Sequence, residues 1–328
     1  MLSIFQNREN HLVRVDSFGD ATLQPAIWCD LLSPTGDETR LVEHNLGIEI
    51  PTRDEMQEIE LSDRLYQEAG AQFMTMTAVA ALDSEVPAKV PVTFILKGPT
   101  LVTVRHADPR PFSTFAARSQ KTNGAPCSSG EAAMLGLIEA MIDRTADALE
   151  HAGLEIDGIS REVFRKKSAS ATKTTRNLQS LIDRIGLKGD LLTAVRESLV
   201  SIGRLIAYHT AVEDRGGRRA PKETRQRLKL IQRDAASLGE HAEFLSNKIN
   251  FLLDATLGLI NLEQNQIIKI FSVASVVFLP PTLVASIYGM NFQMMPELQW
   301  NLGYPGALAL MGLSSLLPYL YFKHRGWL

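Results

Sequence analysis

An uncharged run from Ile270 to Ile287 constrains this chain more than any other feature. Eighteen such residues reach the length at which a membrane-crossing helix becomes the leading reading. A core helix of a water-soluble protein seldom goes so far without charge, because one flank meets water. Four hydroxyl residues lie inside the run, Ser272, Ser275, Thr282 and Ser286, at spacings of 3, 7 and 4. Those spacings place all four on one helical face. Extended towards the N-terminus, the stripe takes in Ile268, Asn265, Asn261, Gly258 and Asp254, and between the hydroxyls it passes Leu279. Polar side chains in a membrane face a partner helix or water. Periodicity alone therefore leaves two readings: helix–helix adhesion, or the wall of a path.

A second uncharged stretch, Tyr304 to Phe322, follows a short connection and ends at Lys323-His324-Arg325. Pro305 falls in its first turn, where proline is tolerated, and Pro318 is placed to kink it. Trp300, Tyr304, Tyr321 and Trp327 stand where interfacial aromatics belong. Lys248 and Lys269 precede the first span, Lys323 and Arg325 follow the second, and the connecting loop has neither Lys nor Arg. The positive-inside rule then expects both termini in the cytoplasm and the loop outside. Residues 1–15 lack the apolar segment of a signal peptide, so the bulk of the chain is expected to stay cytoplasmic.

The fold class expected is α+β. A cytosolic α/β domain (1–120) leads into a cytosolic helical region (121–220), a very long stalk helix (221–266) and a two-helix transmembrane hairpin. The hairpin divides into a pore-lining first helix (267–289), an external loop (290–303), a second helix (304–322) and a basic cytosolic tail (323–328). Strands are expected at Leu12–Val15, Ile27–Leu32, Gln72–Val79, Val92–Leu96 and Leu101–Arg105, the last two joined at Lys97-Gly98-Pro99. Short helices are expected at Asp37–His44 and Arg53–Glu58, and long ones at about 131–167, 172–214 (with a break near Gly186–Gly189) and from Pro221 onward. Glu139, Asp143, Asp147 and Glu150 form a row at spacings of 4, 4 and 3, read either as a solvated face or as a weak divalent-cation surface. A net charge of −3 gives no sign of a nucleic-acid partner, and no phosphate-binding glycine loop indicates a nucleotide. Cys29 and Cys127 form no metal or redox motif, and no catalytic constellation appears, so no enzyme is expected.

Two helices cannot enclose a path, so a transporter of this shape must oligomerise about an axis, most simply as a cyclic homo-oligomer. Its stripe then becomes stacked rings: Asp254, Asn261, Asn265, Ser272, Ser275, Thr282 and Ser286, with Ile268 and Leu279 as apolar constrictions. Neutral oxygen rings suit a hydrated Mg²⁺, which gives up water reluctantly, and apolar rings can gate by dewetting.

Tyr288-Gly289-Met290-Asn291-Phe292, followed by Met295-Pro296-Glu297-Leu298, resembles the signature of the CorA family of magnesium transporters, most of all its proteobacterial magnesium/cobalt/nickel members. The resemblance is specific over residues 250–328. It is weaker upstream, where Trp28-Cys29-Asp30-Leu31 and Ser62–Met76 resemble the family's cytosolic domain. It implies a homopentameric, funnel-shaped channel in the inner membrane, with Mg²⁺ as substrate and regulator and no organic cofactor. Gly289, Met290 and Asn291 would form the selectivity filter, Asn291 holding the hydrated ion, and Glu297 would gather cations outside. Asp254, Asn265, Ile268, Phe271, Leu279 and Thr282 match pore positions of the family, whereas periodicity favours Ser272 over Phe271. Candidate regulatory metal ligands are Asp83, Glu85, Asp234, Glu240 and Glu243, or the row from Glu139 to Glu150.

With no nucleotide motif, voltage must drive uptake. A divalent ion gains about 4.6 kcal/mol per 100 mV, enough for a concentration ratio on the order of 10³. One alternative is a Zn²⁺, Ni²⁺ or Co²⁺ transporter of the same superfamily. That reading would favour His or Cys along the path, and the expected lining has none. Another is a membrane-anchored sensor or scaffold, which has no use for a hydroxyl ladder.

Overall fold

The computed structural model describes residues 1–8, 11–15, 26–82, 84, 87–121, 127–164, 171–215, 221–291, 295–296 and 300–327. They fall into two units, Met1–Arg165 with Ile182–Leu252, and Lys166–Leu181 with Leu253–Leu328.

The first unit is built on a seven-stranded sheet ordered β2-β1-β3-β7-β6-β5-β4. Its strands are β1 (Leu2–Arg8), β2 (His11–Val15), β3 (Ala26–Leu32), β4 (Leu65–Glu68), β5 (Ala71–Ala80), β6 (Ala88–Lys97) and β7 (Thr100–Arg105). β3 and β7 pair in parallel, and the other neighbours are antiparallel. The central β3 and β7 are buried almost throughout, which is why their sequences run apolar instead of alternating. Gly98, at φ +57°, supplies the left-handed residue of the expected hairpin, so that Lys97 faces Thr100.

One face of the sheet buries Ile4, Leu31, Phe73, Ile95 and Val104 with Val42 of α1 (Gly36–Leu46). On Trp28, Phe5 stacks at 4.4 Å between centroids, and Phe115 meets it edge-on at 5.6 Å from α3 (Arg110–Ser119). α3 in turn packs closely on α4 (Gly130–Phe164), where a Cβ at Gly136 would come within 2.3 Å of the Phe115 ring. A buried polar chain crosses the centre. Trp28 Nε1 donates to Thr103 Oγ1 (2.9 Å), Thr103 donates to Asp30 Oδ1 (2.7 Å), and Arg105 donates to both Asp30 oxygens (3.0 and 2.8 Å).

The five expected strands are present, and β1 and β4 are additional. The expected helix at Arg53–Glu58 is only a 3₁₀ turn, Glu55–Gln57. Thr52 and Glu55 bond reciprocally (Thr52 N to Glu55 Oε2, 2.7 Å; Glu55 N to Thr52 Oγ1, 3.3 Å), closing the segment on itself. A four-residue helix, α2 (Leu61–Arg64), leads into β4. The break expected near Gly186–Gly189 is absent, because α5 (Ala171–Arg215) runs through it. Two interior glycines cost about 1 kcal/mol each, and the burial of Ile185, Leu192, Val195 and Leu199 on the same helix outweighs that.

α6 (Lys222–Tyr288) passes from the first unit into the second without a break, carrying Pro280 and Pro281 inside it. The second unit also holds α7 (Gly303–His324) with Pro318 in its interior. α6 and α7 are each long and apolar enough to cross a membrane.

Candidate functional site

Beyond Lys269, the least exposed positions of α6 are Val273, Ala274, Val277, Pro280, Pro281, Val284 and Tyr288. They recur every three or four residues and mark one shaded stripe. α7 carries its own, at Gly303, Ala307, Met311, Ser314, Ser315, Pro318 and Phe322. Lys269 Nζ lies 5.9 Å from the centroid of the Trp327 ring, so the start of the apolar run meets the residue beyond the end of α7. The two helices are thus an antiparallel hairpin.

The polar stripe lies on the other side. At ~100° per residue, Ile268, Ser275, Leu279, Thr282 and Ser286 fall about 140–180° round from the shaded stripe. All five are exposed, as are Asp254, Asn261 and Asn265 below them. Ser272 and Phe271 flank that open face on opposite sides, and both are exposed, so a single chain does not choose between them. Leu279 and Phe271 are each 69% exposed, a surface that water alone would not tolerate on so long a helix.

The hydroxyls are oriented by the helix itself. Thr282 Oγ1 donates to the carbonyl of Phe278 (2.7 Å) and Ser275 Oγ donates to that of Phe271 (2.9 Å). Their protons are thereby used within the helix, and the oxygen lone pairs remain as acceptors on the open face.

At the end of α6, Gly289 N donates to Ala285 O (2.9 Å) and Met290 N to Ile287 O (3.3 Å), a tightening of the last turn. A Cβ at Gly289 would sit 3.0 Å from the Ala285 carbonyl, so a side chain there presses on that turn. Asn291 follows directly and is exposed.

The chain matches the family described as CorA-like Mg2+ transporter protein over residues 24–324. The chain belongs to that family. It is 35% identical over 328 residues, all of both chains, to the magnesium transport protein CorA of Sodalis glossinidius (strain morsitans). The identity and coverage are the same for the magnesium transport protein CorA of Escherichia coli (strain K12). Among solved structures, the CorA magnesium transporter from Methanocaldococcus jannaschii superposes with a TM-score of 0.70 at 17% identity, covering 100% of this chain and 98% of that one. The expected CorA-like fold, a mixed sheet followed by long helices and a C-terminal apolar pair, is therefore present.

The remaining expected residues of this CorA-like chain are scattered. Asp83, Glu85 and Glu297 lie outside the described residues. Glu240 is exposed, and Glu243 stands 3.5 Å from Arg196. Asp234 shares a cavity of about 590 Å³ in the first unit with Glu139, Asp143 and Asp147, a proximity that separation in sequence concealed. Glu139 is engaged by Arg227, which donates to its two oxygens at 2.5 and 2.7 Å. Partial burial, and then the Glu139 charge, push the Asp143 carboxyl above its usual range. Glu150 is exposed and does not line this cavity. Among the described residues, no group of three or more His, Cys, Asp or Glu is arranged to hold a metal ion.

Proposed function

We propose that this chain is one subunit of a homopentameric channel of the inner membrane that takes up Mg²⁺, and also Co²⁺ and Ni²⁺, down the membrane potential. α6 lines the path, α7 faces lipid, and both termini are cytoplasmic. The observation that carries this reading is the opposition of two faces on α6: its shaded stripe serves the hairpin, and its hydroxyl stripe is left for other subunits.

The chemistry fits a hydrated cation. Water bound to Mg²⁺ presents O–H donors, and Ser275 and Thr282 offer acceptor oxygens because their own protons are spent on backbone carbonyls. Rings of Ser272, Ser275, Thr282 and Ser286 would pass such an ion without stripping its shell, with Asp254, Asn261 and Asn265 receiving it below. Gly289 and Met290 shape the outlet so that the carboxamide of Asn291 closes the outer ring, and Glu297 concentrates cations ahead of it. Ile268, Leu279 and either Phe271 or Ser272 form the gate, which closes by dewetting.

Cytosolic Mg²⁺ closes this gate by binding between subunits and stabilising the shut ring. The candidate ligands are Asp83, Glu85, Asp234, Glu240 and Glu243.

The test is ion flux in proteoliposomes, with Mg²⁺, Co²⁺, Ni²⁺ and Zn²⁺ offered separately and in competition. Uptake of Mg²⁺, inhibited by Co²⁺ and Ni²⁺ and by Mg²⁺ on the cytosolic side, is expected. Zn²⁺ uptake without Mg²⁺ uptake would refute the reading.

A further inference from the structure

The cytosolic rim of the hairpin carries a second feature. From Gln264 to Leu328 the charged residues are Lys269, Glu297, Lys323 and Arg325, and in sequence Glu297 falls between the two helices, far from the other three. Three cations and His324 are therefore gathered at one end, and the nearest acidic side chain along α6 is Glu263, six residues before Lys269.

Their placement is built by the end of α7. Arg325 N donates to Tyr321 O (3.0 Å), Gly326 N to Lys323 O (3.2 Å) and Trp327 N to Phe322 O (3.1 Å). Gly326, at φ +72°, supplies the left-handed residue that lets the chain fold back. Trp327 is thereby laid against Phe322, at 5.3 Å between centroids, and under Lys269 of α6. The Arg325 guanidinium sits 5.7 Å from the centroid of Tyr321. Both helices thus contribute a cation stacked on an aromatic ring. Lys269, Lys323 and Arg325 are exposed.

We infer that this rim is a binding site for the phosphate headgroup of an anionic phospholipid. The inference rests on the membrane reading above. Lys269, Lys323 and Arg325 supply the charge, and Trp327 and Tyr321 supply flat, amphipathic surfaces at headgroup level. Charge complementarity selects an anionic over a zwitterionic lipid. The exposed Leu316, Leu317 and Leu320 of α7 offer an apolar surface to acyl chains, which selects a lipid over free phosphate.

The test uses the full chain in detergent, titrated with phosphatidylglycerol, phosphatidylcholine or inorganic phosphate while bound lipid is counted by native mass spectrometry. Phosphatidylglycerol should bind in preference to phosphatidylcholine, and inorganic phosphate should compete only weakly. Each cation near an anionic surface contributes enough that K323Q/R325Q should weaken phosphatidylglycerol binding roughly thirtyfold. The charge-preserving K323R/R325K should bind as the parent does. Equal binding of both lipids, or unchanged binding by K323Q/R325Q, would overturn the site. Competition by inorganic phosphate as strong as by lipid would overturn a lipid site in favour of a phosphate site. Flotation of the parent chain with phosphatidylcholine vesicles separates the two failures. A chain that floats but is blind to lipid charge overturns this inference alone, and one that does not float overturns the membrane reading with it.

Discussion

Asp30 and Arg105 show how single residues hold the sheet. Both side chains are under one-tenth exposed, and the pair is anchored further by Thr103 and by Asp108, 2.5 Å from Arg105 Nη1. Burial works against the Arg105 charge, but Asp30 and Asp108 outweigh it and hold its pKa above the ordinary value. Replacing Asp30 by Ala strands a buried guanidinium and should cost about 3–5 kcal/mol, read as a fall in the thermal midpoint of the detergent-solubilised chain. Asp143 works in the opposite sense. Its folded pKa is raised, so the fold binds its proton more tightly than the unfolded chain does. The stability this gives is present below about pH 3.9, the unfolded value, and is lost as pH rises through the folded pKa. Asp143→Asn should therefore raise the thermal midpoint relative to the parent more at pH 7 than at pH 3. An equal difference at both would contradict the assignment.

At the scale of elements, α5 is a long helix carrying exposed glycine. A Cβ at Gly186 meets nothing within 4 Å, so Gly186→Ala should stabilise the chain by about 1 kcal/mol, measurable by chemical denaturation. A loss of stability would mean that the helix needs its glycine. The same helix shows where sequence reading failed. Glycines near 186–189 signal a break locally, but the buried residues on either side belong to one continuous packing face, which only the tertiary structure reveals. β1 and β4 were equally hidden. Leu2–Arg8 mixes polar and apolar residues because Leu2, Ile4 and Phe5 are buried while its far end, at Asn7 and Arg8, is less covered, and Leu65–Glu68 is a four-residue strand against β5. The membrane pair was legible because hydrophobic length is a one-dimensional property, and the polar stripe because helical periodicity is local. The shaded stripe opposite it, the back-bonded hydroxyls and the approach of Asp234 to Asp143 all depend on side-chain or long-range geometry, which spacing does not encode.

At the scale of the whole molecule, transport requires an assembly whose axis is lined by α6. An anchor or scaffold built on the same hairpin would not need the carboxamide of Asn291 just beyond α6, nor acceptor oxygens turned away from α7. The measurement that separates them is Mg²⁺ uptake into proteoliposomes under an inside-negative potential, comparing the parent chain with Asn291→Ala at equal incorporation and equal oligomer size. Potential-driven uptake by the parent is expected, with at least a tenfold loss in the variant, equivalent to about 1.4 kcal/mol in ion stabilisation at the outer ring. Uptake by Asn291→Ala at the parent's rate, or no uptake by a correctly assembled parent, would contradict a path lined by α6.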